Sequence, residues 1–258
     1  ARRSNGGRSM SRFEHIEALQ GDLPWGRFLD AGTGVNSCLW GMGLATEAWT
    51  GVTAAAGHAD QVRAAADARL RPQDRLVLGN WVDPGLLEGE VHDTVVADYL
   101  IGAVEGFAPY FQRTLLHRLK PMTRRRLYVV GLDPYIVGLA DTDEARMVRR
   151  IGRLRDAVLL MADETPYREY PAEWTLNALA DAGFRVLSAR RFPNRYKAKW
   201  VNGQLDMAVR RLPRIADRDL AGRLTDAIAE VRQSALRLCA ERKGLRHGAD
   251  YVVACEPR

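Results

Sequence analysis

The sequence predicts an α/β fold built on a doubly wound, mostly parallel seven-stranded sheet, and three observations carry that prediction. Short apolar runs alternate with stretches of helical apolar spacing over the first two thirds of the chain, the pattern of strands joined by crossover helices. The first run, "RFLD", leads into a G-x-G turn at Gly32 and Gly34. A seventh strand-like run, "ADYVVACEPR", stands at the extreme C-terminus after a long interruption.

Each element has a local reason. After "RFLDAG", residues 37–45 are expected to start a helix with Asn36 or Ser37 as its cap. "TEAWTGVTAA" reads as the second strand, the helix around "HADQVRAAADARL" follows it, and "RLVLGNW" is the third strand. "HDTVVADYLIG" is the fourth, followed by a helix over residues 107–119 that Pro121 should stop. "RRLYVVGLDPY" is the fifth, then come a helix over residues 143–162, the loop "DETPYREYP", and the helix "AEWTLNALADAG" closed by Gly183. "FRVLSARRF" is the sixth strand. Residues 193–248 then break the rhythm, with Leu220, Leu224, Ile228, Val231 and Leu238 at helical spacing, which predicts a helical insertion between the sixth and seventh strands. No repeat or low-complexity linker interrupts the chain, so residues 1–258 read as one domain with a flexible basic tail at 1–12.

Composition excludes several functions. Cys38, Cys239 and Cys255 are far apart and the five histidines form no H-x-x-x-H pair, so no metal site is expected. No apolar run approaches the roughly 18 residues of a membrane span, and the N-terminal residues lack the apolar segment of a secretory signal. The reading is therefore a cytoplasmic protein without membrane association. The net charge of +6 fits either an arginine-rich surface or an anionic partner. Arg146, Arg149, Arg150 and Arg153 form one helical stripe, read as a solvated face. "ARRFPNRYKAKW" interleaves cations and rings, a mix that suits either nucleic acid or the hinge of a cap whose aromatics pack inward; the cap is preferred.

The G-x-G turn alone says little, because two glycines serve a tight turn as well as a ligand, through a positive φ or the absence of a side chain. Its surroundings say more. Asp30 stands two residues before Gly32, where a pyrophosphate would gain nothing from a fixed negative charge and a cationic ligand would. Ser37 occupies the third fingerprint position, and Thr53-Ala54-Ala55 stands where a dinucleotide-binding acid would hold the ribose.

With "LDAGTG", "ADYL" closing the fourth strand, "LADAGFRVLSA" and "YVVACEP" in that order, the chain resembles the class I S-adenosylmethionine-dependent methyltransferases, Rossmann-like enzymes, over essentially its whole length. The resemblance implies an antiparallel last strand and a cofactor, S-adenosyl-L-methionine, lying across the C-terminal ends of the first strands. The cofactor candidates it places there are Asp30, Gly32, Gly34 and Asn36 in the turn, Thr53, Asn80 and Trp81 after the second and third strands, and Asp98 and Tyr99 after the fourth. Thr53 departs from the family, which usually has an acid there for both ribose hydroxyls; His58 is a neighbour that could share the role. Asn80 is expected to bond adenine and Trp81 to cover a ring face, against the alternative of a capped turn beside a core tryptophan.

Methyl transfer needs alignment more than a conspicuous catalytic set. Tyr99, Asp133 and Tyr135 are the candidates for a catalytic role, with Glu105, Tyr167 and Tyr170 near the expected mouth, while His117 reads as structural. The N-P-P-Y motif of base-methylating relatives is absent after the fourth strand. The expected function is methyl transfer to an oxygen, nitrogen or sulfur nucleophile of a small-molecule substrate. An RNA or protein methyltransferase using the basic surface, and a non-catalytic cofactor-binding module, are the alternatives. The insertion is expected to shape the substrate pocket or to make a homodimer contact.

Overall fold

The computed structural model describes residues 10–258, and among them seven strands form: β1 (Arg27–Asp30), β2 (Ala48–Thr53), β3 (Arg75–Leu78), β4 (His92–Asp98), β5 (Thr123–Leu132), β6 (Phe184–Tyr196) and β7 (Leu245–Pro257). They join in one sheet in the order β3-β2-β1-β4-β5-β7-β6. β1 to β5 are parallel, and β7 runs antiparallel to both β5 and β6. The central strands read as continuous apolar runs because both faces of the sheet are covered.

Alternation along each strand divides the core in two. Phe28, Trp49, Tyr128 and Val252 pack beneath α1 (Arg12–Gln20), α2 (Val35–Gly41) and α3 (Ala56–Ala66). Leu29, Val95, Val129 and Val253 face α4 (Leu100–Ala103), α5 (Gln112–Met122) and α7 (Ala172–Asp181). The order reverses between β1 and β4, which leaves a crevice at their C-terminal ends, the position where open α/β sheets bind ligands.

Three expectations need correction. Of the tail predicted at 1–12, residues 1–9 lie outside the described residues, but Ser11 and Arg12 open α1 instead. Ser11 accepts a hydrogen bond from the Glu14 N–H (3.1 Å) and Glu14 accepts one from the Ser11 N–H (2.6 Å), a reciprocal cap that the spacing S-x-x-E announces. Pro121 does not end its helix but sits in the last turn, where it removes a single hydrogen bond, and the chain leaves at Thr123. The insertion is shorter than 193–248, because β6 continues to Tyr196 and β7 starts at Leu245.

What remains of the insertion is α8 (Ala198–Val209) and α9 (Arg218–Glu241), which pack on α6 (Asp143–Met161). Val148 and Ile151 of α6, Val201 and Leu205 of α8, and Ile228 and Val231 of α9 are fully or almost fully buried in their common core. Among the described residues no helix is long and apolar enough to cross a membrane. Leu205→Ala should cost about 3 kcal/mol, in the range for emptying a buried leucine site. Urea denaturation should show that loss in a single transition; a separate early transition would show the bundle folding apart from the sheet.

Candidate cofactor and substrate site

The turn after β1 is pinned from both sides. Ala31 N–H donates to Val96 O of β4 (2.8 Å) and Thr33 N–H to Val52 O of β2 (2.7 Å). Neither Gly32 nor Gly34 adopts a positive φ, so the expected conformational reason for these glycines is replaced by a spatial one. A Cβ on Gly32 would lie 2.9 Å from the Leu100 side chain, whereas one on Gly34 would project into open space. Gly34, not Asn36 or Ser37, is the N-cap of α2. The Ser37 hydroxyl accepts from the Gly34 N–H (3.1 Å), and Asn36 is exposed on the first turn.

Beyond the turn a cleft opens over the ends of β2 and β3, lined by Thr33, Thr53, His58, Asn80, Trp81, Phe107 and Tyr167 among others. Thr53 is the last residue of β2, paired in register with Leu78, so a carboxylate is indeed missing from that strand end. Asn80 is a turn cap rather than an open hydrogen-bonding edge. Its Oδ1 accepts from the Val82 N–H (3.1 Å) and its amide donates to Phe107 O (2.9 Å). Trp81 is buried in the floor, where Nε1–H donates to Ala31 O (2.7 Å) and the Arg118 guanidinium lies 5.5 Å from its ring centroid. The rings at the mouth are Phe107 and Tyr167, 38% and 45% exposed and 6.5 Å apart. Phe107 was not singled out by the sequence, since it follows an apolar stretch that reads as core.

The other end of the crevice is acidic. Asp30 is 1% exposed and has no ion-pair partner among the described residues; the Ser37 and Thr33 hydroxyls and the Gly32 N–H lie near its oxygens without well-formed hydrogen bonds to them. Burial pushes its carboxyl up to about 6. Asp98 ends β4 with a buried, unpartnered Oδ1, and burial together with the nearby Asp30 charge pushes it up to about 7. Tyr99 follows with φ +51°, a left-handed conformation rare for a side chain of that size, and burial raises its hydroxyl well above the usual tyrosine value. Arg12 of α1 lies 5.0 Å from the Tyr99 ring centroid and pairs with Asp250 of β7, whose other oxygen accepts from Asn194 (3.0 Å). Sequence reading missed Arg12 because it was assigned to the tail.

The expected catalytic trio does not assemble. Tyr99 stays with Asp98, but Asp133 binds the first N–H of α7 at Ala172 (3.0 Å) through Oδ1 and Arg191 Nε (2.7 Å) through Oδ2, which makes it a structural anchor. Tyr135 is buried in the helical bundle, where its hydroxyl accepts from Arg155 (2.7 Å) and its ring lies 6.2 Å from those of Tyr196 and Trp200. Glu105 is likewise buried and engaged, by Gln112 (2.6 Å) and Arg168 (3.3 Å). Tyr170 rests on Trp174 with ring centroids 4.1 Å apart, and His117 is exposed on α5. A carboxylate that the sequence did not flag, Glu169, lies instead against Gly102 of α4.

No family model matches the sequence, and no curated protein matches it either. Solved structures do match in shape. A putative methyltransferase from Bacillus halodurans superposes with a TM-score of 0.57 at 14% identity, covering 97% of this chain and 99% of that one. A S-adenosylmethionine-dependent methyltransferase from Geobacter sulfurreducens, solved with S-adenosyl-L-homocysteine, gives 0.52 at 12% identity over 95% and 90% of the two chains. The [4+2]-cyclase SpnF gives 0.54 at 15% identity over 94% and 79%. At such identities the likeness is one of architecture, and it agrees with the strand order, the single antiparallel strand and the crevice between β1 and β4. The chain is built on the class I S-adenosylmethionine-dependent methyltransferase fold.

Proposed function

We propose that this protein binds S-adenosyl-L-methionine in the crevice and transfers its methyl group to an oxygen, nitrogen or sulfur nucleophile of a small molecule. One observation carries the reading: Asp30 buries its whole carboxyl group and Asp98 one carboxyl oxygen at adjacent strand ends without an ion-pair partner among the described residues, an arrangement that suits an external cation. The cofactor fits that need with its ammonium and sulfonium groups, and its carboxylate has Arg12 near the same end. Phe107 and Tyr167 offer ring faces for the adenine, with Thr53 and His58 beside the ribose. When bound, the sulfonium supplies an electrophilic methyl group. The chain's part is to orient the acceptor and to keep water away, and the loop carrying Tyr167 stands over the cleft for that purpose.

Small molecules are favoured over nucleic acid by the state of the basic segment. Arg191 is engaged by Asp133 and Glu173, Lys197 bonds Lys243 O, and Tyr196 stacks on Trp200 with centroids 4.1 Å apart instead of facing solvent. Arg190, Arg195 and Lys199 stay exposed, but with Tyr196 and Trp200 packed on the helical core the segment favours a cap hinge over cations interleaved with free ring faces. The cyclase described above has the same fold under a different name, so binding and transfer are separate questions.

Two measurements test the reading. Calorimetry should show saturable binding of S-adenosylmethionine and S-adenosylhomocysteine and none of NAD, with Asp98→Asn weakening the first by about tenfold, or ~1.4 kcal/mol; NAD binding alone would overturn the assignment. The second concerns stability without ligand. Because Asp98 titrates near 7 in the folded protein and near ~3.9 in an unfolded chain, the native state retains a proton that the unfolded state releases over that interval. Stability is therefore lost as pH rises from about 4 to 7. Asp98→Asn should raise the unfolding free energy at about pH 8 by ~2 kcal/mol and change it little near pH 4. Equal stabilisation at both pH values in thermal denaturation would contradict the buried-charge account.

A further inference from the structure

The loop of residues 163–171 is seated on two glycines. A Cβ on Gly106 would lie 2.9 Å from the Tyr167 ring, and one on Gly102 would lie 2.5 Å from Glu169 Oε2. The Arg168 N–H also donates to Gly102 O (3.2 Å). This seating sends Tyr167 to the adenosine end of the crevice and Glu169 toward the acidic end, two residues apart on one loop.

Glu169 is partly exposed and has no hydrogen bond or ion pair among the described residues. The groups facing it are engaged elsewhere. From α6, Arg155 bonds Asp156 (2.6 Å), the Tyr135 hydroxyl (2.7 Å) and Gln204. From β7, Asp250 holds Arg12 and Asn194, and the Tyr251 hydroxyl donates to Tyr170 O (3.0 Å). From β6, Tyr196 shares Asn194 (3.3 Å). Burial, with the charges of Asp250 and Asp156 outweighed only in part by Arg155, holds the Glu169 carboxyl up at about 7. A carboxylate in this state lacks a cation, and no side chain around it is free to supply one.

Charge bookkeeping across the crevice points the same way. Arg12 and Arg155 are matched by Asp250 and Asp156, which leaves Asp30, Asp98 and Glu169 without a direct ion pair among the described residues. The cofactor of the proposed function brings a sulfonium, an ammonium and a carboxylate, a net single positive charge. Above about pH 7, where these carboxyls are ionised, negative charge is left over, and Glu169 is the member that lies on the loop rather than on a strand end.

We propose that Glu169 receives the cationic end of the methyl acceptor, and that the acceptor is a small molecule carrying a protonated amine. The inference rests on the proposed function for its cofactor, but its test separates the two.

The protein is saturated with S-adenosylhomocysteine, and calorimetry at about pH 8 compares benzylamine, phenethylamine and putrescine with benzoate and phenylacetate. At least one amine should bind saturably and neither acid should. Glu169→Gln should weaken amine binding tenfold or more while leaving S-adenosylhomocysteine affinity within about twofold. Glu164→Gln, on the same loop but held by Arg211 and Arg214, should leave amine binding unchanged. Amine affinity should also fall as pH drops below about 7, since these amines stay charged there and Glu169 takes up the proton. Acids binding as well as amines, no amine binding to the S-adenosylhomocysteine-loaded protein, or an unaffected Glu169→Gln variant would overturn the amine assignment alone. Failure of S-adenosylhomocysteine to bind would instead remove the proposed function beneath it.

Discussion

Burying the Asp30 carboxyl and one oxygen of Asp98 without an ion-pair partner among the described residues works against folding, and the surrounding structure holds them there nonetheless. Asp30 is set by β1, whose register against β4 places it opposite Val96, two residues before Asp98. Both strands are covered on both faces, so the two carboxyl groups open only onto the crevice at the strand ends, Asp30 at 1% exposure and Asp98 partly exposed. Among the described residues the nearby cation Arg12 is drawn to Asp250. A charge left unsatisfied by the fold is a cost to stability, and it is a cost that a cationic ligand removes.

The helical insertion bears on Glu169 indirectly, through Arg155. Its helices α8 and α9 bury their apolar stripes on α6, and this fixes Arg155 between Tyr135, Asp156 and Gln204. Had Arg155 been free, it would have neutralised Glu169, which it faces. The bundle therefore acts on the site by committing a guanidinium elsewhere, as β7 does by pairing Asp250 with Arg12.

Much of this was legible in the sequence, where the signal was periodic. Seven strands, the turn after β1, the missing acid at Thr53 and a helical insertion follow from apolar spacing and glycine placement, since those features report packing of one segment against a whole layer. The site side chains were less legible because their partners are distant. Asp133 caps a helix that starts 39 residues later, and Asn80 ties a turn to Phe107, which no local pattern encodes. Helix α1 buries the polar His15 and Gln20 along with Ile16, so its apolar pattern is faint, although Ser11 and Glu14 do mark its start. Glu169 sits in a loop with no period at all, and its only trace is a pair of glycines sixty-odd residues earlier whose bareness makes sense once the loop is placed on them.

Under the proposed function the two ends of the crevice divide the work of recognition unequally. At the adenosine end the loss of a ribose carboxylate leaves Thr53, His58 and ring faces, contacts that treat S-adenosylmethionine and its demethylated product alike. At the acidic end the two differ by a full positive charge on sulfur, in surroundings where burial makes each charge count for more than in water. A site that weakens the shared contacts and keeps the charge-sensitive ones favours the methyl donor over its product. Under the proposed function, the absent acid at Thr53 and the unpartnered acids at Asp30 and Asp98 are then parts of one arrangement, which eases release of the product once the charge has left the sulfur.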